Sequence, residues 1–212
     1  MATVDFTNIQ EAEFPYETDF AQFSAYQSHT ATSYVWTTVG GHRITATGTG
    51  IAVNGGNMPL SGTISQISID LSDDNNGSPD IVITDLSIEL TSLPFVGAAT
   101  DTQQFWDIML AGSTAFVANS SAVQQTSIGD FYLHDTAAVF QAADDTFTVD
   151  GHSGSSVLGD GGLITNGLVL AGNDTITGSF SSVNADVGTV RNTGRLVAGD
   201  DRIVVLQDNP VA

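Results

Sequence analysis

The chain has 212 residues, enough for one large β domain or two small ones, and carries 24 acidic residues against four arginines and no lysine. A formal charge of −20 repels nucleic-acid phosphates and anionic membrane surfaces, so neither is expected as a partner. The apolar share of 41% argues for a packed core rather than disorder, and the absence of cysteine leaves that core, metal ions or partner chains to hold the fold.

Glycine, threonine, serine, asparagine and aspartate are abundant, a composition that favours strands joined by turns over helices. Residues 1–30 set aromatic side chains (Phe6, Phe14, Tyr16, Phe20, Phe23, Tyr26) among acidic ones. They read as a strand and a loop pinned by aromatics, or with a short amphipathic helix over 19–27. Residues 31–95 read as antiparallel strands: 32–39 runs into Gly40-Gly41, 42–53 follows, and Asn54-Gly55-Gly56-Asn57 makes the next turn. Ile64, Ile67 and Ile69 alternate with polar residues, as do Ile81, Ile83, Leu86, Ile88 and Leu90, which gives each strand one apolar face. Between them lies an oxygen-rich loop in which Asp73, Asp74, Asn76 and Asp80 are candidate Ca²⁺ ligands, or solvated hairpin residues. An EF-hand is excluded there, because strands flank the loop and no glutamate stands at its twelfth position.

Residues 98–206 carry a degenerate repeat. Asp130, Asp160 and Asp186 are each followed 14 or 15 residues later by the second member of a pair: Asp144-Asp145, Asn173-Asp174 and Asp200-Asp201. An apolar stretch precedes each pair and an alternating strand follows it. A weaker copy, without the carboxylates, begins at Leu110. A period near 28 with two strand-like runs suggests stacked coils, each burying its apolar face against the next. The pairs would then align in a column of like charges, which repel unless a cation bridges them. Asn173, Asp174, Asp200, Asp201, Asp144 and Asp145 are therefore candidate metal ligands, with turn caps as the plain alternative.

The phrases Leu170-AGNDTITGS and Val197-AGDDRIVVL resemble single degenerate units of the glycine-rich calcium-binding repeat of RTX proteins (hemolysin-type) secreted by bacteria. The resemblance covers roughly residues 105–206 and lacks a tandem nonapeptide run. It implies bound Ca²⁺, an extracellular or cell-surface location and export independent of an N-terminal signal. The last point agrees with an N-terminus that has neither a basic region nor an apolar one. No apolar run approaches a membrane span, so no membrane insertion is expected.

The four histidines show no metal-binding spacing, no G-x-S-x-G elbow exists, and four arginines suit a uronate lyase poorly. An enzyme is not expected. Trp36, Trp106, Tyr34 and Tyr132 are either core residues or a sugar-stacking platform. The expected fold is all-β: an antiparallel module over 1–97, then a short β-solenoid or β-roll-like region over 98–212. The expected function is an acidic, Ca²⁺-binding extracellular matrix component that self-associates as a homo-oligomer or polymer. A glycan-binding adhesin or spike module is the second class, with polysaccharide as its partner, and a polysaccharide-active enzyme the third.

Overall fold

The computed structural model describes residues 2–5, 20–71, 78–98, 100–110, 112, 114–118, 126–149, 156–178 and 182–205. The protein is all-β, with one α-helix among the described residues, and forms two compact units. One holds residues 2–4 and 14–109, the other residues 5–13 and 110–212.

The first unit is built from β1 (Ala2–Asp5), β2 (Phe23–Thr30), β3 (Ser33–Thr38), β4 (Arg43–Val53), β5 (Pro59–Asp70), β6 (Ile81–Thr84) and β7 (Ile88–Glu89). Its strands lie in the order β1-β6-β5-β4-β3-β2, and β7 also pairs with β5. From β2 to β6 every neighbouring pair is antiparallel. The turns are those the sequence chemistry asks for. Gly41 turns the chain between β3 and β4 at φ 90°, a left-handed value that a side chain resists. At the next turn Asn54 Oδ1 accepts the N–H groups of Gly56 (2.8 Å) and Met58 (3.0 Å).

Segment 23–30 is a strand and not the amphipathic helix weighed for 19–27. Pairing with β3 and the edge-on contact of Phe23 with Phe95 (5.6 Å between ring centres) outweigh any helical tendency. The inward faces carry Tyr34, Trp36, Ile44, Ile64, Ile67, Ile69, Ile81 and Ile83, all buried. Each such side chain contributes about 1.5–3 kcal/mol by burial. Helix α1 (Asp101–Met109) was not expected from composition. It forms because Thr102, Phe105, Trp106 and Met109 share one buried face, and because Asp101 anchors its first turn. The Asp101 carboxylate accepts the N–H of Gly97 at 2.8 Å and of Phe23 at 3.3 Å.

The second unit consists of short strands in parallel. They are β8 (Thr114–Ala118), β9 (Thr126–Ile128), β10 (Phe131–Gln141), β11 (Thr146–Val149), β12 (Ser156–Leu158), β13 (Gly161–Leu170), β14 (Thr175–Gly178), β15 (Ser182–Asn184), β16 (Val187–Val190), β17 (Arg195–Val197) and β18 (Arg202–Val205). Three ladders run through them: β8-β11-β14-β18, β9-β12-β15, and β10-β13 followed by β16 and β17. Register follows the repeat: Phe147 pairs with Ile176 and Ile176 with Ile203, while Val157 pairs with Val183. Phe147, Val157 and Ile176 are fully buried. The middle strand of each coil bends on itself, so that Ile164 and Val169 of β13 pack together with Val187, Phe140 and Leu196.

Candidate cation-binding site

Two rows of aspartates run across the coils of the second unit. The first comprises Asp130, Asp160 and Asp186, each just before the long bent segment of its coil. Its carboxylates reach the far end of that segment. Asp130 Oδ2 accepts the Ala143 N–H at 2.7 Å, Asp160 Oδ1 the Gly172 N–H at 2.8 Å, and Asp186 Oδ1 the Gly199 N–H at 2.8 Å. Each bond joins residues 12 or 13 apart, so this row clamps the neck of every coil.

The second row comprises Asp145, Asp174 and Asp201, and it links one coil to the next. Asp145 Oδ1 accepts the Thr114 N–H at 2.6 Å, Asp174 Oδ1 the Asp145 N–H at 2.8 Å, and Asp201 Oδ1 the Asp174 N–H at 2.9 Å. Thr114 thus occupies, in the degenerate upstream copy, the rung position that aspartate holds in the others. The pair partners make an outer ladder of opposite sense. Asp144 Oδ1 accepts the Asn173 N–H and Asn173 Oδ1 the Asp200 N–H, both at 2.8 Å. Asp144, Asn173 and Asp200 are exposed, whereas Asp145, Asp160 and Asp174 are 2%, 0% and 1% exposed.

In each buried carboxylate one oxygen has a backbone N–H and the other has no partner: Oδ2 of Asp145, Asp160 and Asp174 are all buried and unsatisfied. An unsatisfied buried polar atom costs about 1–3 kcal/mol, more when charged. The chain has no lysine or arginine between Arg43 and Arg191, so no such side chain on the coils of Asp145, Asp160 and Asp174 offsets the charge. Burial is the main reason their acidity falls. It pushes the Asp145 carboxyl up to about 9, with Asp130 and Asp174 adding like charge against the opposing Thr114 N–H. Burial likewise raises Asp174 to about 8, Asp130 to about 7 and Asp160 to about 6, with like charge from neighbouring aspartates adding to each. Asp201, on the last coil, is raised by the same cause. Burial thus favours the protonated form of Asp145 and Asp174 near neutral pH.

Glycine makes the column possible. A Cβ at Gly159 would collide with the Ala185 carbonyl and with Asp174 Oδ2, and one at Gly129 with the Gly159 carbonyl and Asp145 Oδ2. The coils touch backbone to backbone at these corners, and the unsatisfied oxygens of Asp145 and Asp174 lie against the bare glycine positions. Among the described residues no set of three or more His, Cys, Asp or Glu side chains already converges as a coordination sphere.

The structure separates the pairs named from sequence into two kinds of residue. Asp145 and Asp174 line the buried column and Asp201 sits half-buried at its end; Asp144, Asn173 and Asp200 form the outer ladder. Asp80 stands apart in the first unit, where its buried Oδ2 accepts the Leu71 N–H at 2.8 Å across the base of the loop. Asp73, Asp74 and Asn76 lie outside the described residues. The inward role of Asp130 and Asp160 was only partly legible. Its signal is the Gly-Asp step at 129–130 and 159–160, where a residue without a side chain precedes one that must turn in. Trp36, Trp106 and Tyr34 are at most 2% exposed, and Tyr34 donates its hydroxyl to the Asn57 carbonyl at 3.0 Å. Those three rings are core and offer no sugar-stacking surface.

No family, no curated protein and no solved structure matches this chain.

Proposed function

We propose that the protein is a secreted, acidic extracellular structural component whose repeat region is a short β-solenoid stabilised by Ca²⁺, and that copies of it self-associate when Ca²⁺ is present. The observation that carries this reading is the set of buried aspartates Asp145, Asp160 and Asp174, drawn from the two rows, each with one unsatisfied buried oxygen and no lysine or arginine on their coils. Hard carboxylate oxygens beside corner carbonyls suit Ca²⁺ better than softer metals, and zinc has no cysteine here to favour it. Asp145, Asp160 and Asp174 would hold the ion, with Asp130, Asp186 and Asp201 extending the column at either end. Backbone carbonyls and water would complete its shell, since the side chains alone do not converge. The bound ion supplies positive charge where the chain has none. The chain's own residues do the rest: the clamps close each neck, the rungs fix the register, and the glycines let the coils approach.

Ca²⁺ then acts as a folding ligand, because it binds the stacked state and not the unfolded one. A chain with this design stays loose where Ca²⁺ is scarce and condenses where it is abundant, which suits a protein exported unfolded. The resemblance of the AGND and AGDD corners to RTX repeats supports the same reading. The deciding experiment is circular dichroism and particle size during titration from EGTA into millimolar Ca²⁺, with Mg²⁺ as control. A gain of β signal specific to Ca²⁺ is expected. A chain fully folded in EGTA whose thermal midpoint ignores Ca²⁺ would make the aspartates structural clamps and end the proposal.

A further inference from the structure

Among the described residues all three parallel ladders end on the last coil, at β15, β16 with β17, and β18. Apolar side chains are uncovered there: Val190, Val197, Ile203 and Val205 are 43%, 54%, 45% and 60% exposed. One coil earlier, Ile164 and Ile176 hold the registers of Val190 and Ile203 and are fully buried. The difference is the coil that follows them. The polar ladders also stop. The N–H groups of Asp145 and Asp174 each bond a carboxylate of the next coil, whereas the Asp201 N–H has no such partner among the described residues.

Charge marks the same place. Residues 182–205 hold three of the four arginines, Arg191, Arg195 and Arg202, together with three aspartates, Asp186, Asp200 and Asp201. This coil is formally neutral, and the remaining 21 acidic residues and one arginine carry the whole charge of −20. All three arginines are exposed. The rest of the chain has a formal charge of −20, which opposes contact between copies. Here three positive and three negative groups share one coil with exposed aliphatic side chains, a composition that can complement itself across a two-fold axis.

We propose that the last coil is the self-association face, and that its occupant is a second copy seated last coil to last coil with the β18 edges antiparallel. The contact covers the four exposed aliphatic side chains, supplies partners to the open strand edge and sets each copy's arginines against the other's aspartates. This inference rests on the self-association part of the function proposed above, and it names the surface.

The test is sedimentation velocity of the full chain over a range of concentrations, in EGTA and in Ca²⁺, with circular dichroism to check folding. A dimer is expected in Ca²⁺. Val205→Asp, at an already exposed position, weakens it at least tenfold. Arg195→Glu with Arg202→Glu also weakens it at least tenfold, because the net charge of each last coil then becomes more negative by about four units, and added salt restores part of the loss. If Val205→Asp disturbs the fold, the arginine variant decides. Variants that associate as well as the wild type overturn the surface and leave self-association standing. A wild-type chain that is monomeric in both conditions overturns both. A monomer that binds an acidic polysaccharide through the arginines overturns the second copy as the occupant.

Discussion

Replacing Asp174 by asparagine separates the buried column's two roles, because the side chain keeps its shape and its Oδ1 still accepts the Asp145 N–H. Burial raises this carboxyl from 3.8 to about 8, which corresponds to an upper bound of about 6 kcal/mol against its ionised form. Water penetration and relaxation reduce that figure, and the new amide leaves its own N–H groups facing Gly159. A net gain of about 1–3 kcal/mol in EGTA at mildly alkaline pH is the expected remainder. For a chain of this size that raises the thermal midpoint by about 2–10 °C. Saturating Ca²⁺ has the opposite effect. The wild type gains about 2.7 kcal/mol when free Ca²⁺ is about a hundredfold above its dissociation constant, and the variant, short of one ligand charge, gains less than half of that. The variant's advantage in EGTA therefore shrinks by at least about 1.3 kcal/mol in saturating Ca²⁺, and the two melting curves draw together or cross. Differential scanning calorimetry reads both midpoints. Equal destabilisation of the variant in EGTA and in Ca²⁺ would show that the carboxylate acts only as a rung, and the cation argument would fall with it.

Three further outcomes follow from the same geometry. Gly159→Ala places a methyl group against the Ala185 carbonyl and Asp174 Oδ2 and is expected to cost at least about 3 kcal/mol, measured as a drop in the urea midpoint at unchanged slope; a neutral result would contradict the close approach at that corner. Asn173→Ala removes the acceptor of the Asp200 N–H on the exposed ladder, so a loss of about 1 kcal/mol is expected while the Ca²⁺ midpoint stays put; a shifted midpoint would move the ion to the outer row. Without Ca²⁺, stability should decline as pH rises. The folded chain keeps protons on Asp160, Asp130, Asp174 and Asp145 up to about 6, 7, 8 and 9, while the unfolded chain loses them near 3.8. Each such group removes up to about 1.4 kcal/mol per pH unit between its two values. Thermal midpoints taken in EGTA from about pH 5 to about pH 9 should fall and in Ca²⁺ should flatten; a rise in EGTA would refute the buried-column electrostatics.

The strands of the first unit were legible because their signals are local. Alternation of isoleucines with polar residues specifies one buried face, and Gly40-Gly41 and Asn54-Gly55-Gly56-Asn57 specify the reversals. Helix α1 was hidden by the same reasoning: its Thr102, Phe105, Trp106 and Met109 repeat at helical spacing for only nine residues, within a chain whose composition argues for strands. In the repeat region the period fixed which residues pair across coils, so Asp145, Asp174 and Asp201 fall on consecutive rungs as the 29- and 27-residue spacings imply. Spacing does not say which member of a pair faces inward. That depends on the strand after each corner: Phe147 and Ile176 point into the core, and the aspartate two positions earlier shares their side, leaving Asp144 and Asn173 to solvent. The neck clamps of Asp130 and Asp160 were harder still, because they depend on a bend inside the middle strand that brings residues 12 or 13 apart into contact.

A buried row of carboxylates is a poor way to hold a fold together if stability is the only requirement. Apolar residues would fill these corners without desolvation cost, and replacing buried charges by well-packed apolar groups is often neutral or stabilising. What the aspartates add is conditionality. Each carboxylate commits one oxygen to a backbone N–H, which fixes register, and leaves the other unsatisfied, which makes the stacked state contingent on something positive arriving. A lysine on these coils would satisfy the same oxygens permanently, yet the chain has none anywhere and places its arginines on the last coil and at Arg43. The distribution keeps lysine and arginine off the coils of Asp145, Asp160 and Asp174 and concentrates three arginines on the last described coil. On the proposed reading these two features are one device: an external cation completes the interior of the coils, and the chain's own few cations are reserved for the contact between copies.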